Sequence, residues 1–331
     1  MAEAVLILGI ESSCDDTGAS VVKNGAEVLS NVVGSQVKIH EKYGGVVPEL
    51  ASRHHLENIY YIIDSALKEA KVSLADIDGV AVTYGPGLAG SLLVGIETAK
   101  AIAMAKEIPL IGVNHLEAHL FAAFLEHKIG FPFLSLIVSG GHTELVLVRE
   151  FGRYEIIGRT RDDACGEAFD KVAKLLELGY PGGPKVEELA KSAKKTFKLP
   201  KAVMKDGSND FSFSGLKTAV MTHMREHPET AKPELCASFQ NTVAATLLDK
   251  TLDVAVLTGI REVVLGGGVI ANRTLREEFT KMFAQQDVKV YFPEFKLCTD
   301  NGAMIAYIGY QKFLRKQFAD LSLNAEPSLG L

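Results

Sequence analysis

Val5-Leu6-Ile7-Leu8-Gly9-Ile10-Glu11-Ser12-Ser13-Cys14-Asp15-Asp16-Thr17-Gly18-Ala19-Ser20-Val21-Val22 begins with an apolar run, breaks into small and polar residues, and turns apolar again. Two short apolar runs separated by a polar, glycine-containing turn read as two strands joined by a loop. The same design returns far along the chain. Phe133–Val138 is apolar, Ser139-Gly140-Gly141-His142-Thr143 forms the turn, and Leu145–Val148 resumes the strand. A hairpin repeated in this way predicts two related domains, each beginning with its own loop facing a shared cleft.

Between and after these hairpins, strands alternate with helices. Leu56–Ala70 carries Ile59, Ile62, Ile63, Ala66 and Leu67 at helical spacing, and Val80–Thr83 reads as a buried strand. Gly85-Pro86-Gly87-Leu88-Ala89-Gly90-Ser91 then bends the chain into a helix through Ala105, with Leu92, Ile96, Ala99 and Ala103 on one face. This βα order predicts a mostly parallel sheet covered by helices. Further on, Cys165–Leu176 reads as a helix presenting Glu167 and Asp170. Pro181-Gly182-Gly183-Pro184 is a rigid turn that sets Pro184 at the first position of the next helix. A long helix is expected from about Pro233 to Thr258. Glu262–Leu265 forms a strand running into Gly266-Gly267-Gly268, and Asn272 begins or caps the helix after it. Gly302–Phe313 is a final amphipathic helix.

Composition agrees with this α/β reading. The chain has 331 residues, 47% of them hydrophobic, with 30 glycines and 11 prolines, enough apolar material for two domains of ordinary size. The first apolar stretch, Ala4–Ile10, has no basic residues ahead of it and is too short for a signal peptide or a membrane span. Cys14, Cys165, Cys236 and Cys298 are far apart and form no CxxC pair, so neither a disulfide framework nor a thiolate zinc knuckle is expected, and a reducing cytoplasm is the default. The net charge of −6 offers no global attraction to nucleic acid. Basic residues do concentrate locally, at Lys191, Lys194, Lys195, Lys198, Lys201 and Lys205, and at Arg159 and Arg161.

Asn114-His115-Leu116-Glu117-Ala118-His119 sets two imidazoles four residues apart, on one side of a helix, where they can share a metal ion. A metalloprotease would need its glutamate directly after the first histidine. Here it stands one position late, at Glu117, facing away from the pair, so zincin hydrolysis is disfavoured. Asp300, expected at a strand-to-helix turn, is the candidate third ligand. The Gly140-Gly141 and Gly266-Gly267-Gly268 loops can make tight turns or let backbone amides approach phosphate. Neither ends in the lysine and hydroxyl of a P-loop, and no GxGxxG opens the chain.

Six runs together resemble the bacterial TsaD family, once called glycoprotease-like proteins. They are Gly9–Thr17, Tyr84–Leu92, Asn114–His119, Ser139–Thr143, Phe211–Thr218 and Gly266–Asn272, in family order and spanning nearly the whole chain. The resemblance implies the actin-like ATPase fold shared with sugar kinases and heat-shock proteins, in which two ribonuclease H-like domains flank a nucleotide-binding cleft. The expected division is a first domain over 1–110, completed by a C-terminal helix within 302–331, and a second over 111–301 with an inserted segment around 190–212.

The activity it implies is transfer of the threonylcarbamoyl group from threonylcarbamoyl-adenylate to N6 of adenosine 37 in tRNAs reading codons that start with adenine, with release of AMP. The partners it implies are an inactive TsaB-like paralogue, a TsaE-like ATPase and tRNA, the donor coming from a TsaC-like synthase, in the cytoplasm and without a membrane. Family metal ligands fall on His115, His119 and Asp300, for one divalent ion per subunit, Fe2+ first and Zn2+ as the alternative, with Mg2+ accompanying the nucleotide. Adenylate contacts fall on Val138, Ser139, Gly140, Gly141, His142, Asp170, Gly183 and Asn272. Another falls on Glu187, where the family commonly has aspartate. Asp16 stands where many relatives have glutamate and is assigned no catalytic role; the candidates for one are Asp15 and His142. Two other readings use the same residues, a small-molecule kinase of the same fold and a non-catalytic scaffold paralogue.

Overall fold

A computed structural model describes residues 4–202, 204 and 206–331. The chain separates into two compact units, Met1–Lys128 with Pro293–Leu331, and Ile129–Phe292. The first crossing thus falls after Lys128 rather than at 110, and the return after Phe292 rather than at 301. Lys205, one of the lysines noted above, lies outside the described residues.

In the first unit, β1 (Leu6–Glu11), β2 (Thr17–Lys23) and β3 (Glu27–Gly34) form an antiparallel meander. A short helix α1 (Val37–His40) and the long α2 (Pro48–Ala70) lead to β4 (Gly79–Gly85). Helix α3 (Ala89–Lys106), β5 (Leu110–Asn114) and α4 (His115–Phe121) follow. Strands β4 and β5 run parallel to β1, and the sheet order is β3-β2-β1-β4-β5. The sheet is therefore mixed rather than mostly parallel. The hairpin turns between β1, β2 and β3 are too short for the crossover that parallel pairing requires.

In the second unit, β6 (Phe133–Val138), β7 (Thr143–Glu150) and β8 (Arg153–Arg159) repeat the meander. Helices α5 (Cys165–Leu175), α6 (Gly182–Ala190), α7 (Ser214–Glu226) and α8 (Lys232–Thr258) precede β9 (Glu262–Gly266), α9 (Arg273–Ala284) and β10 (Lys289–Tyr291). The sheet order β10-β9-β6-β7-β8, with β9 parallel to β6 and β10 to β9, is the first sheet's order again. Both hairpins expected from the repeat are thus present, each at the head of the same five-stranded topology. Helix α6 begins at Gly182, ahead of Pro184, which sits in the first turn where a missing N–H costs no internal bond. Pro233 enters α8 the same way, and Gly259 ends it at φ +70°.

The chain then returns through α10 (Phe295–Cys298) to α11 (Gly302–Leu314), which packs on β1, β2 and β4 of the first sheet. On the sheet's other face, α2 and α3 enclose a core that includes Leu8, Ile10, Val80, Val82, Ile59, Ile63, Leu92 and Ile96. The α11 face is built for close approach instead. A β-carbon on Gly9 would fall 2.2 Å from the Gly302 carbonyl oxygen, and one on Gly302 would fall 2.5 Å from Ser20 N. The segment after α11 pairs Ala319 with Leu110 and covers the β5 edge of the sheet.

Candidate functional site

The first unit gathers the histidine pair. Asn114 ends β5 and caps α4, its Oδ1 accepting from Leu116 N (2.8 Å) and Glu117 N (3.1 Å). One turn of helix then stacks His115 and His119 edge to face, with ring centroids 4.7 Å apart. Asp300 comes from the other end of the sequence. It lies in the turn between α10 and α11, not after a strand, and Asn301 beside it caps α11 by accepting from Ala303 and Met304 N. Asp300 Oδ1 is 3.3 Å from His119 Nε2 and 3.5 Å from His115 Nε2. The three side chains offer one ligand atom each within 4.8 Å of one another.

A buried carboxylate supports this cluster. Glu11, at the end of β1, is fully buried; its Oε1 accepts from Ser13 N (2.6 Å), and its Oε2 from the Thr83 hydroxyl (2.8 Å) and His115 Nδ1 (2.9 Å). Donation through Nδ1 leaves His115 Nε2 directed at Asp300, the arrangement in which a carboxylate orients a metal-binding imidazole. His119 Nδ1 is buried without a hydrogen-bond partner. Burial works against charge on His115, yet the Glu11 and Asp300 carboxylates outweigh it and push the imidazole up to about 9. Burial likewise raises Glu11, and the facing His115 charge and hydrogen bond overcome it, holding the carboxyl below its ordinary range. The site therefore favours a cation between two imidazoles and a carboxylate, whether proton or metal. Two nitrogen donors and one oxygen donor suit a borderline transition-metal ion.

Glu117 takes no part in this cluster. It is buried and pairs with Lys312 of α11 at 3.0 Å. Asp15 and Asp16 lie in the loop between β1 and β2, part-buried. Burial and the neighbouring Asp15 charge raise the Asp16 carboxyl to about 6, against the pull of hydrogen bonds from Ser35 and Gln36. The sequence motifs that contain Glu11 and Asn114 assign neither residue a role. A glutamate ending an apolar strand, and an asparagine directly before a histidine-bearing helix, were the available signals.

The expected adenylate residues all belong to the second unit: Val138 at the end of β6, Ser139, Gly140, Gly141 and His142 in the loop after it, Asp170 midway along α5, Gly183 and Glu187 in α6, and Asn272 at the N-cap of α9. Val138 is buried, and Ser139 opens the loop that turns back at His142: Ser139 N donates to His142 O (2.8 Å) and Ser139 Oγ accepts from His142 N (3.0 Å). Gly140 and Gly141 are exposed, with open space where a β-carbon would stand. Gly267, at φ +93°, lies so close to Val138 that a β-carbon would meet its carbonyl oxygen at 2.4 Å. Asp170 Oδ1 accepts from Gly182 N (2.7 Å), joining α5 to the start of α6 beside Gly183. Glu187 Oε1 accepts from Arg273 N (2.8 Å). Asn272 caps α9 through Leu275 N and donates its amide to Gln240 (2.7 Å). Strand ends and helix starts converging in this way form the usual ligand position of an α/β sheet.

The basic clusters are paired with acids in part. Arg161 is held by Asp206 and Asp210, Lys191 by Glu188, and Lys201 by Asp249. Arg159 N donates to Asp210, and Lys195 lies 3.9 Å from Glu234. Lys194 and Lys198 are exposed. Asp162 binds the Phe211–Ser214 run, accepting from Ser212 and Ser214 hydroxyls and from Phe213 and Ser214 N. Among the described residues no helix is long and apolar enough to cross a membrane.

Comparison with known proteins places these features in a wider set. The family model described as TsaD, tRNA N6-adenosine threonylcarbamoyltransferase, matches residues 27–307. A protein of that name from Caldicellulosiruptor saccharolyticus is 50% identical over 99% of this chain and 98% of its own. One from Geobacillus kaustophilus is 52% identical over 100% and 98%. Among solved structures, full-length HypF in its phosphate- and nucleotide-bound form superposes with a TM-score of 0.64 at 16% identity, covering 96% of this chain and 57% of that one. Component A of the Acidaminococcus fermentans (R)-2-hydroxyglutaryl-CoA dehydratase gives 0.58 at 16% identity, over 93% and 98%. These distant likenesses establish the fold, which is actin-like.

Proposed function

We propose, since the chain belongs to the TsaD family of tRNA N6-adenosine threonylcarbamoyltransferases, that it transfers the threonylcarbamoyl group of threonylcarbamoyl-adenylate to N6 of adenosine 37 in tRNAs reading codons that begin with adenine. The observation that carries this is identity of about half the residues along the full length of named relatives. The convergence of His115, His119 and Asp300 supports it further, because the three come from two distant parts of the sequence.

In this reading His115, His119 and Asp300 hold one divalent ion, Fe2+ or Zn2+. When bound, such an ion supplies Lewis-acid polarisation of an oxygen of the donor. Glu11 fixes the His115 ring through Nδ1 and keeps Nε2 available as a ligand. The Val138–His142 loop faces the adenylate phosphate, Asp170 and Glu187 the ribose or adenine, and Gly183 and Asn272 complete the nucleotide contacts, with Mg2+ accompanying the nucleotide. As the adenosine amine bonds to the carbamoyl carbon, the bond to the phosphate oxygen breaks and AMP leaves. The amine loses a proton, for which Asp15 and His142 are the candidate acceptors. An exocyclic amine is a weak nucleophile, so orientation against the donor supplies much of the rate, on the order of 7 kcal/mol or more in favourable cases.

The proposed partners are a TsaB-like paralogue, a TsaE-like ATPase and tRNA, in the cytoplasm, with the donor made by a TsaC-like synthase. A chain of net charge −6, with Arg161, Lys191 and Lys201 of its basic clusters paired with acids, offers little field of its own for RNA. Helix α2 also turns Leu56, Tyr60 and Tyr61 outward, an apolar face suited to another subunit. The test supplies threonylcarbamoyl-adenylate and unmodified tRNA to the chain alone, with the paralogue, and with the paralogue, ATPase and ATP. Modified adenosine is expected only in the mixtures with partners. Multiple turnover by the chain alone would overturn the partner requirement. Phosphorylation of a small acceptor with no adenosine product would overturn the activity.

A further inference from the structure

The segment after α11 reaches the histidine cluster by two routes. Leu323 and Ala325 pack against the first unit's core, and Ala319 pairs with Leu110 at the sheet edge. Beyond them the chain runs across the carboxyl ends of β4 and β5, on the side where α4 begins. Glu326 N donates to Tyr84 O (2.8 Å) and Pro327 O accepts from Gly87 N (3.1 Å). The approach is tight, since a β-carbon on Gly85 would lie 2.2 Å from Glu326 O. The next residue of that loop, Leu88, donates its N–H to Ser13 O (2.7 Å), and Ser13 Oγ lies 3.2 Å from His115 Nδ1. The second route is shorter. Gly330 O accepts from Asn114 Nδ2 (2.8 Å), while Asn114 Oδ1 holds the Leu116 and Glu117 N–H groups in the first turn of the helix that carries both histidines.

We propose that residues Glu326–Gly330 act as a strap that positions the metal-binding histidines, with Asn114 as the positioning residue that couples strap to helix. This rests on the metal reading given above. The physical reason is that α4 is a seven-residue helix, too short to hold its own orientation without packing and caps. One amide serves both as its cap and as its tie to the strap. Removing the strap leaves Asn114 free to turn, and with it the first turn of α4. Substituting aspartate at 114 keeps an oxygen for the cap but sets a carboxylate against the Gly330 carbonyl. Supporting groups of this kind carry about a 10- to 100-fold share of metal affinity when lost.

Four proteins test it: the full chain, a chain ended after Ala325, Asn114→Asp, and the two changes combined. Each is stripped of metal and titrated with Co2+, whose visible d–d bands report affinity and ligand geometry, and each is melted without metal. The full chain is expected to take up one ion with tetrahedral-type bands. Each single change should weaken Co2+ binding about 10-fold or more and alter the bands. The combined protein should lose little beyond the larger single effect, because both changes cut one connection. Affinity within about twofold of the full chain in the shortened protein, or losses that simply add, would overturn the strap. Weakened binding with unchanged bands would likewise overturn it, since global loosening without reorientation would account for it. Failure of the full chain to bind Co2+ would instead overturn the metal reading itself.

Discussion

Replacing Gly302 with alanine tests whether the position of Asp300 depends on how closely α11 approaches the first sheet. The added β-carbon would stand 2.5 Å from Ser20 N and 2.6 Å from Ala19 C. Both are backbone atoms of β2, so no side-chain rotation relieves the overlap. Ordinary contact begins at 3.4 Å, and the first turn of α11 must therefore retreat by about 1 Å, an overpacking cost of about 1–3 kcal/mol. For a unit the size of Met1–Lys128 with Pro293–Leu331, unfolding on its own, that corresponds to a fall in melting temperature of about 2–4 °C per kcal/mol. Asp300 precedes Gly302 by one capping residue and moves with it. Its Oδ1 now lies 3.3 Å from His119 Nε2, and metal sites tolerate ligand displacements of only about 0.2 Å. Calorimetry of the metal-free protein should show the lower melting temperature. Competition for Zn2+ against a chromophoric chelator should show affinity reduced about tenfold or more. Wild-type values in both would refute the close-packing argument. Lower stability with wild-type affinity would refute its link to Asp300.

Three further outcomes are expected. Changing both His115 and His119 to alanine should take bound transition metal from about one ion per chain to none, measured by elemental analysis of protein purified without chelators; unchanged content would refute the assignment. Asp170→Ala should weaken binding of adenine nucleotides about tenfold or more, a charged hydrogen-bond partner being lost. Lys191→Ala, which removes an exposed pair with Glu188, should leave binding nearly unchanged in the same calorimetric titration. Asp16→Asn should stabilise the metal-free protein above pH 6. The Asp16 carboxyl is raised from 3.8 to about 6, so the folded state holds its proton more tightly. The native chain therefore loses stability as pH rises from about 4 through 6, by about 1–2 kcal/mol after allowance for partial exposure. Denaturant melts of the two proteins should coincide at pH 4 and separate by pH 8; equal midpoints at pH 8 would refute the shift.

Much of the fold was legible because its signals are local. The apolar runs ending at Ile10 and Val138, each followed by a small-residue turn, locate both meanders, since a buried strand needs only a short run of apolar residues. Asn272 was legible as the start or cap of α9 because its side chain answers the Leu275 N–H, a few residues away. Other elements were less visible. β8, in which Ile156 is exposed and Ile157 half-buried, has no clean alternation to read. The mixed pairing of each sheet depends on which strands meet and in which direction, and a list of elements leaves that open.

For the candidate site, the histidine spacing determined by itself that His115 and His119 share one side of a helix, because the helical repeat imposes it. That Asp300 joins them depends on α11 lying flat on β1 and β2, where Gly9 and Gly302 allow backbones to touch. The roles of Glu11 and of the strap at Gly330 were likewise decided only in three dimensions. Glu11 stabilises the pair from a strand 104 positions away, and Asn114 meets a carbonyl 216 positions on. Periodicity and capping act within a few residues along the chain, so sequence alone determined the two hairpins and the histidine pair. A side-chain cluster closed by segments distant in the chain exists only once hydrophobic burial and close glycine packing have brought them together, and that the tertiary structure decided.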